Sequence, residues 1–218
     1  MSDLSIGPAR DHGALMDHMY RGQRHIYDLT RKYYLFGRDR MVAEMGCQPG
    51  DTVLELACGT GRNLALIAQR WPGTKLYGID ISREMLRSAQ AKLGESARLA
   101  VGDACRLDTS RSLGRTRFDR VVLSYCLSMI PDYAAALDQA ASVVAPGGSL
   151  HVVDFGDGAG MPRPLAQALR TWLGCFHVTP RTDLVDACGA VALARGLTAT
   201  HSQGPLRYYQ SLTLTATP

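Results

Sequence analysis

Apolar positions along the 218-residue chain change rhythm twice. In the first third, Ala14, Met16, Met19, Ile26, Leu29, Tyr33 and Leu35 recur at three- and four-residue steps with Arg and Asp between them. That is the period of a helix with one apolar face. Gly37 interrupts the run, and Arg38–Met45 reads as a second, short helix ending at Gly46. From Asp51 onward, short apolar runs predict strands over Thr52–Ala57, Thr74–Ile79, Arg98–Val101, Phe118–Ser124 and Ser149–Asp154. Between them, Arg62–Arg70, Arg83–Leu93 and Asp132–Val144 read as helices, the last with Asp132 as a candidate N-cap after Pro131. Strands alternating with helices at this spacing predict a mostly parallel sheet covered on both faces. The tail differs: Leu197–His201 and Arg207–Ala216 flank Gly204-Pro205, as in an antiparallel hairpin at one edge of the sheet. The expectation is a single α/β domain over residues 1–218, a helical cap (1–48) on a Rossmann-like core (49–218).

The most informative segment is Val53-Leu54-Glu55-Leu56-Ala57-Cys58-Gly59-Thr60-Gly61-Arg62-Asn63, where a strand ends and a helix begins. Glycines there let backbone approach a ligand closely, and the free N–H groups of the helix start face it. Asp80 closes the second strand, nineteen residues after Gly61. At that point of a βαβ unit a carboxylate accepts hydrogen bonds from both ribose hydroxyls. A dinucleotide site would carry GxGxxG, but Leu64 occupies the third glycine position.

The pattern instead resembles the ExGxGxG signature of class I methyltransferases, with Ala57 where the first glycine usually falls. Gly102-Asp103-Ala104, Phe118-Asp119-Arg120-Val121-Val122-Leu123-Ser124 and Ala145-Pro146-Gly147-Gly148 resemble further stretches of that class and arrive in the same order. The resemblance covers roughly Asp51–Asp154 and implies a seven-stranded, mostly parallel sheet with an antiparallel edge strand, and S-adenosyl-L-methionine as cofactor. Expected cofactor-binding residues are Arg38, Glu55, Ala57, Cys58, Gly59, Gly61, Asp80, Ile81, Asp103, Ala104 and Ser124. Asp103 is placed by the resemblance against the adenine amino group.

Composition narrows the setting. Hydrophobic residues at 46% and charged residues at 20% are ordinary for a globular protein, and a net charge of +4 does not by itself call for nucleic acid. Six cysteines are scattered without a CxxC pair or a Cys/His cluster, so neither a metal site nor a disulfide framework is expected. Met1–Arg10 lacks the apolar core of a signal peptide, and Val121–Ile130 is far too short to span a bilayer. The expected location is the cytoplasm, with any membrane contact peripheral. The motif that base-modifying methyltransferases carry after the fourth strand is missing, since Ser124-Tyr125-Cys126-Leu127 stands there.

The acceptor has to be read from the cap. Tyr20-Arg21-Gly22-Gln23-Arg24-His25-Ile26-Tyr27-Asp28-Leu29-Thr30-Arg31-Lys32-Tyr33-Tyr34-Leu35-Phe36-Gly37-Arg38-Asp39-Arg40 interleaves basic and aromatic residues. This run resembles the diacylglyceryl-homoserine N-methyltransferases of bacterial betaine-lipid synthesis, as do Gly59-Thr60-Gly61-Arg62-Asn63 and, more weakly, His177-Val178-Thr179-Pro180-Arg181. The resemblance implies three methyl transfers to the homoserine amine of a lipid at an anionic membrane surface. Tyr20, Tyr27, Tyr125 and Asp154 are the catalytic candidates, with His25 behind them, for orienting the amine, relaying its proton or facing its cationic products. Arg38 is expected to hold a carboxylate, of the cofactor or of the acceptor. Ala159–Phe176 is a second candidate lid, with Leu165, Leu169, Trp172 and Leu173 on one side. A methyltransferase for a soluble small molecule and a non-catalytic cofactor-binding module are the alternatives.

Overall fold

A computed structural model describes residues 35–218, His177 excepted. Tyr20, His25 and Tyr27 lie outside the described residues. The elements are α1 (Arg38–Glu44), β1 (Thr52–Leu56), α2 (Arg62–Arg70), β2 (Lys75–Asp80), α3 (Arg83–Leu93), β3 (Ala97–Val101), α4 (Thr109–Leu113), β4 (Phe118–Ser124), α5 (Tyr133–Ser142), β5 (Val144–Phe155), α6 (Arg163–Gly174), α7 (Leu184–Arg195), β6 (Leu197–Gln203) and β7 (Tyr209–Ala216).

The seven strands form one sheet in the order β3-β2-β1-β4-β5-β7-β6. β1 to β5 run parallel, whereas β7 is antiparallel to both β5 and β6. The tail therefore forms the expected hairpin at the sheet edge, with its second strand inserted next to β5. Strand order reverses between β1 and β4, and ligands of open α/β sheets collect at that reversal, outside the carboxyl ends of the strands.

Alternation along the strands divides the core in two. Leu54, Leu56, Val121, Leu123, Leu150 and Val152 pack with Leu137 and Ala140 of α5 and Leu184 and Cys188 of α7. Val53, Val122 and Val153 face the other way, onto Met41 and Val42 of α1, Leu64 and Ile67 of α2, Leu86 of α3 and Leu173 of α6. Glu55 shares the strand face of Val53, so the same alternation turns its carboxyl toward α1 and α2.

Helix boundaries follow local chemistry. Ser82 caps α3 by accepting from Met85 N at 3.3 Å, and Asp132 caps α5 by accepting from Ala135 N at 3.1 Å, as its position after Pro131 predicts. Two strand boundaries differ from the sequence pattern. Ala145–Gly148 bulges out of β5, so that Phe118 pairs with Val144 while Arg120 already pairs with Ser149. Arg207, expected inside the last strand, lies instead in the Pro205–Arg207 turn, where Leu206 and Arg207 both have left-handed backbone. On α6, Leu173 is buried and Leu169 half-buried, but Leu165 and Trp172 are exposed, so the four do not share one packed side. No helix among the described residues is long and apolar enough to cross a membrane.

His151 of β5 is buried, with Ser149 Oγ 2.8 Å from its Nε2. Burial, aided by the charge of Arg120, pushes it down to about 4. The folded protein thus prefers neutral imidazole, while the unfolded chain takes up the proton near pH 6.5. Stability from this group is complete above that value and is lost as pH falls toward 4. Urea unfolding is expected to show a loss on the order of 2 kcal/mol between pH 6.5 and 5, and a clearly flatter profile in His151→Gln.

Candidate active site

The loop after β1 and the end of β2 are locked together by one carboxylate. Asp80 Oδ2 accepts from Gly59 N at 2.8 Å and Oδ1 from Ser82 N at 2.8 Å. The two glycines of the loop do different work. A Cβ on Gly59 would meet nothing within 4 Å, so its backbone borders open space. A Cβ on Gly61 would lie 2.8 Å from Leu93 Cδ1 and 3.0 Å from Ala89 Cβ, so this glycine lets α2 pack on α3. No side chain caps α2 at Gly61. Ala57 has φ +53, a conformation that glycine adopts freely and alanine does not. Cys58 turns its thiol into the core against β2, where burial raises its pKa, which leaves only its backbone to face a ligand.

Glu55 is completely enclosed. Asn63 Nδ2 donates to its Oε1 at 2.6 Å, and Oε2 has no hydrogen-bond partner. Burial pushes the carboxyl up to about 8, opposed by the Asn63 bond, with Asp80 raising it further and Arg38 lowering it. Arg38 is itself buried on α1, and the one hydrogen bond of its guanidinium among the described residues is from Nε to Asp39 at 3.2 Å. A buried guanidinium beside a carboxyl with a vacant acceptor matches the two charges of an α-amino acid.

Further along the edge, Gly102 N donates to Asp80 O at 3.0 Å and draws the start of the next loop to β2. Asp103 Oδ1 accepts from Cys105 N at 2.9 Å, which fixes its direction; Ala104 is buried beneath it and Ile81 half-buried beside Asp80. At the end of β4, Ser124 Oγ is buried without a partner.

Tyr125 and Asp154 come to this edge with their polar atoms already engaged. The Tyr125 hydroxyl donates to Phe36 O, its ring meets Phe155 edge-on at 4.8 Å, and burial pushes its pKa up. Asp154 has no exposed surface; its carboxylate accepts from Ser128 N at 3.1 Å and Phe155 N at 2.8 Å, and burial raises its pKa. Both are placed to position the loop after β4 rather than to meet an amine: Tyr125 ties it to the segment before α1, and Asp154 ties it to β5. Neither offers the open ring face or free carboxylate that the sequence reading asked of them.

Sequence reasoning left three contributors out of the site. Asn63 orients Glu55 from the first turn of α2. Phe36 supplies the carbonyl that Tyr125 binds. The Val178–Arg181 segment straps the loop after β4: Thr179 N donates to Ser128 O at 2.9 Å, while Arg181 donates to Leu127 O at 3.1 Å and Ile130 O at 2.8 Å. Gln210 of β7 secures the strap by donating to Arg181 O at 2.8 Å. Asn63 and Arg181 stood in the resembling motifs, but nothing in their spacing announced these partners. Among the described residues no group of His, Cys, Asp and Glu is placed to hold a metal ion. A groove of about 730 Å³ lined by Arg117, Val144, Arg195 and Pro218 lies at the opposite end of β5 and holds none of these residues.

Residues 53–148 match the family described as a methyltransferase domain. Over 114 residues the chain is 34% identical to the demethylmenaquinone methyltransferase of Staphylococcus aureus, a stretch that is 51% of this chain and 46% of that protein. The chain thus spans about half the length of such relatives. Among solved structures, a chain of the complex between the Haloferax volcanii Trm112 methyltransferase activator and a methyltransferase superposes with TM-score 0.68 at 17% identity, over 97% of this chain and 98% of that one. Haemonchus contortus phosphoethanolamine N-methyltransferase 2 in complex with S-adenosyl-L-methionine gives TM-score 0.66 at 14% identity, over 83% of this chain and 52% of that one. The fold is that of the class I methyltransferases, and residues 53–148 resemble a methyltransferase domain. S-adenosyl-L-methionine is the cofactor of this class, and the enclosed Glu55, the buried Arg38 and the open backbone at Gly59 fit its amino-acid end and its approach to the loop.

Two outcomes follow from this geometry. At pH 7 free Glu55 is mostly protonated, and a cofactor ammonium beside it favours the carboxylate. Binding is therefore expected to release close to one proton, read by calorimetry in buffers of different ionisation enthalpy, and Glu55→Gln is expected to release none and bind at least tenfold more weakly. Ala57→Gly is expected to raise unfolding stability by about 0.5–1 kcal/mol with cofactor affinity unchanged, since it removes left-handed strain at a position where glycine is at ease.

Proposed function

We propose that the chain is an S-adenosylmethionine-dependent N-methyltransferase that methylates the homoserine amine of diacylglyceryl-homoserine three times, giving the trimethylated betaine lipid. One observation carries the reading. The described end of the run that resembles lipid N-methyltransferases, residues 35–40, brings Arg38 near Glu55 and the Phe36 carbonyl to Tyr125. The end of the segment with the most specific resemblance therefore takes part in the site's construction.

When bound, S-adenosylmethionine supplies a methyl group on a sulfonium, which is electrophilic without further activation. Residues of this chain have the remaining tasks. Arg38 and Glu55 hold the amino-acid end, Asp80 the ribose, and Asp103 the adenine edge. Ser124, with a buried hydroxyl and no partner, borders the place where donor and acceptor meet. Holding two reactants in line and excluding water supplies most of what such a transfer requires. The acceptor amine titrates at roughly 8, so a sizeable neutral fraction exists near neutral pH and its proton can leave to water. A dedicated base is not needed, consistent with the engaged oxygens of Asp154. Tyr20 and Tyr27 are proposed to face the methylated ammonium products.

A soluble acceptor is the second reading, favoured by the 34% identity shared with the Staphylococcus aureus demethylmenaquinone methyltransferase over 114 residues. Mass spectrometry after incubation with S-adenosylmethionine and liposomes carrying diacylglyceryl-homoserine separates the two. Lipid gaining one, two and then three methyl groups supports the lipid reading; cofactor binding with unmodified lipid overturns it. Tyr20→Ala and Tyr27→Ala are each expected to slow the later transfers roughly 2- to 30-fold, the range of one cation–π contact, with cofactor affinity unchanged.

A further inference from the structure

We propose that the edge formed by the Pro205–Arg207 turn, Phe36 and helix α6 docks on an anionic lipid bilayer. Four large apolar side chains stand out of this edge: Phe36 is 57% exposed, Leu165 54%, Leu206 53% and Trp172 37%. They are joined through backbone. Gly156 N donates to Tyr208 O at 2.8 Å and Gly158 N to Arg207 O at 3.0 Å, so the loop from β5 to α6 lies flat against the turn. A Cβ on Gly160 would sit 2.8 Å from Leu206 Cα, and the Phe36 ring meets Tyr208 edge-on at 5.3 Å. Leu165 and Trp172 are seven residues apart on α6 and share one face, with Phe176 against Trp172 at 5.1 Å.

The turn itself points to a purpose. Leu206 and Arg207 have φ +55 and +54, successive left-handed residues with no glycine between them. Tight turns that only close a chain use Asn or Gly at such positions. Here the strained backbone lifts a leucine into solvent, and strain of this kind persists where a function maintains it.

Charge selects the occupant. Between Gly158 and Thr182 there is no Asp or Glu, while Arg163 and Arg170 are exposed on α6. From Gln203 to Pro218 there is again no acidic residue, and Asp157 pairs with Arg207. An apolar edge flanked by exposed arginines and, among the described residues, by no unpaired acidic group suits the boundary between anionic headgroups and acyl chains. The edge adjoins the carboxyl end of β5, next to Tyr125 and Asp154, so docking there turns the candidate site toward the membrane. The use of this surface rests on the acceptor being a lipid, but its test does not.

The full chain, without cofactor or acceptor lipid, is mixed with vesicles of phosphatidylcholine alone or of an equal mixture with phosphatidylglycerol and floated on a density gradient. Recovery with the mixed vesicles is expected, and little with phosphatidylcholine alone. Leu206→Gly removes the side chain where glycine suits the backbone, so it is expected to keep or raise thermal stability while weakening vesicle binding about fivefold. Leu165→Asp is expected to add to that loss, and Arg163→Glu with Arg170→Glu to abolish the preference for phosphatidylglycerol, each with calorimetric cofactor affinity unchanged. Absence of flotation, or flotation indifferent to Leu206→Gly and Leu165→Asp, overturns the proposal. A dimer in analytical ultracentrifugation that these variants dissolve, with no change in flotation, also overturns it and assigns the edge to a second copy of the chain. Vesicle binding without lipid methylation leaves the docking edge standing and removes only the assigned acceptor.

Discussion

Two backbone N–H groups from different loops meet on the carboxylate of Asp80, and the cofactor half of the molecule depends on that meeting. Gly59 lies in the loop after β1 and Ser82 at the cap of α3, so the bond pair fixes the loop, the strand end and the next helix with one side chain. Both N–H groups would otherwise need other partners near the ends of buried strands. The same strand end receives Gly102 N on its carbonyl, which brings in the loop carrying Asp103. A residue expected to bind a ligand is thus also the one that builds the surface around it.

Glu55 and Arg38 form the complementary constraint. Enclosing a carboxyl with one oxygen unpartnered is unfavourable, and the protein answers by raising its affinity for a proton instead of ionising it. A site held in this state favours a cation over water, and Arg38 beside it extends the preference to a zwitterion. The loop after β4 is rigid for a different reason. Asp154, Thr179 and Arg181 take up its backbone groups, and Tyr125 joins it to the segment leading into α1. Cofactor loop and acceptor side are therefore built from separate hydrogen-bond systems, joined through the sheet and through the Phe36–Arg38 segment.

Sequence pattern carried far where one residue's effect is local. The helices Arg62–Arg70 and Arg83–Leu93 and the strand Phe118–Ser124 have the bounds their periodicity predicts, and Asp132 caps as expected. Glu55, Asp80 and Asp103 could be singled out from sequence because they stand at or near the strand ends where ligands of a βαβ fold collect. What stayed hidden was tertiary. Tyr125 and Asp154 sit at the right edge, but only their long-range partners reveal that their polar atoms are engaged. Arg207 looked like the start of a strand, since Gly204-Pro205 announces a turn but nothing in Leu-Arg-Tyr shows that left-handed backbone extends it to Arg207. Gly61 looked like a ligand-facing glycine and proved to be a packing one, a distinction that needs Ala89 and Leu93 in place.

The loop closed by Asp80 is expected to bind S-adenosylmethionine. Isothermal titration of the full chain with the cofactor, and of Asp80→Asn beside it, tests that most directly. Saturable one-to-one binding is expected for the native protein and at least tenfold weaker binding for Asp80→Asn, since the amide cannot accept both backbone N–H groups and the ribose hydroxyls. Absence of binding by the native protein, or equal affinity in a folded Asp80→Asn variant, would contradict it.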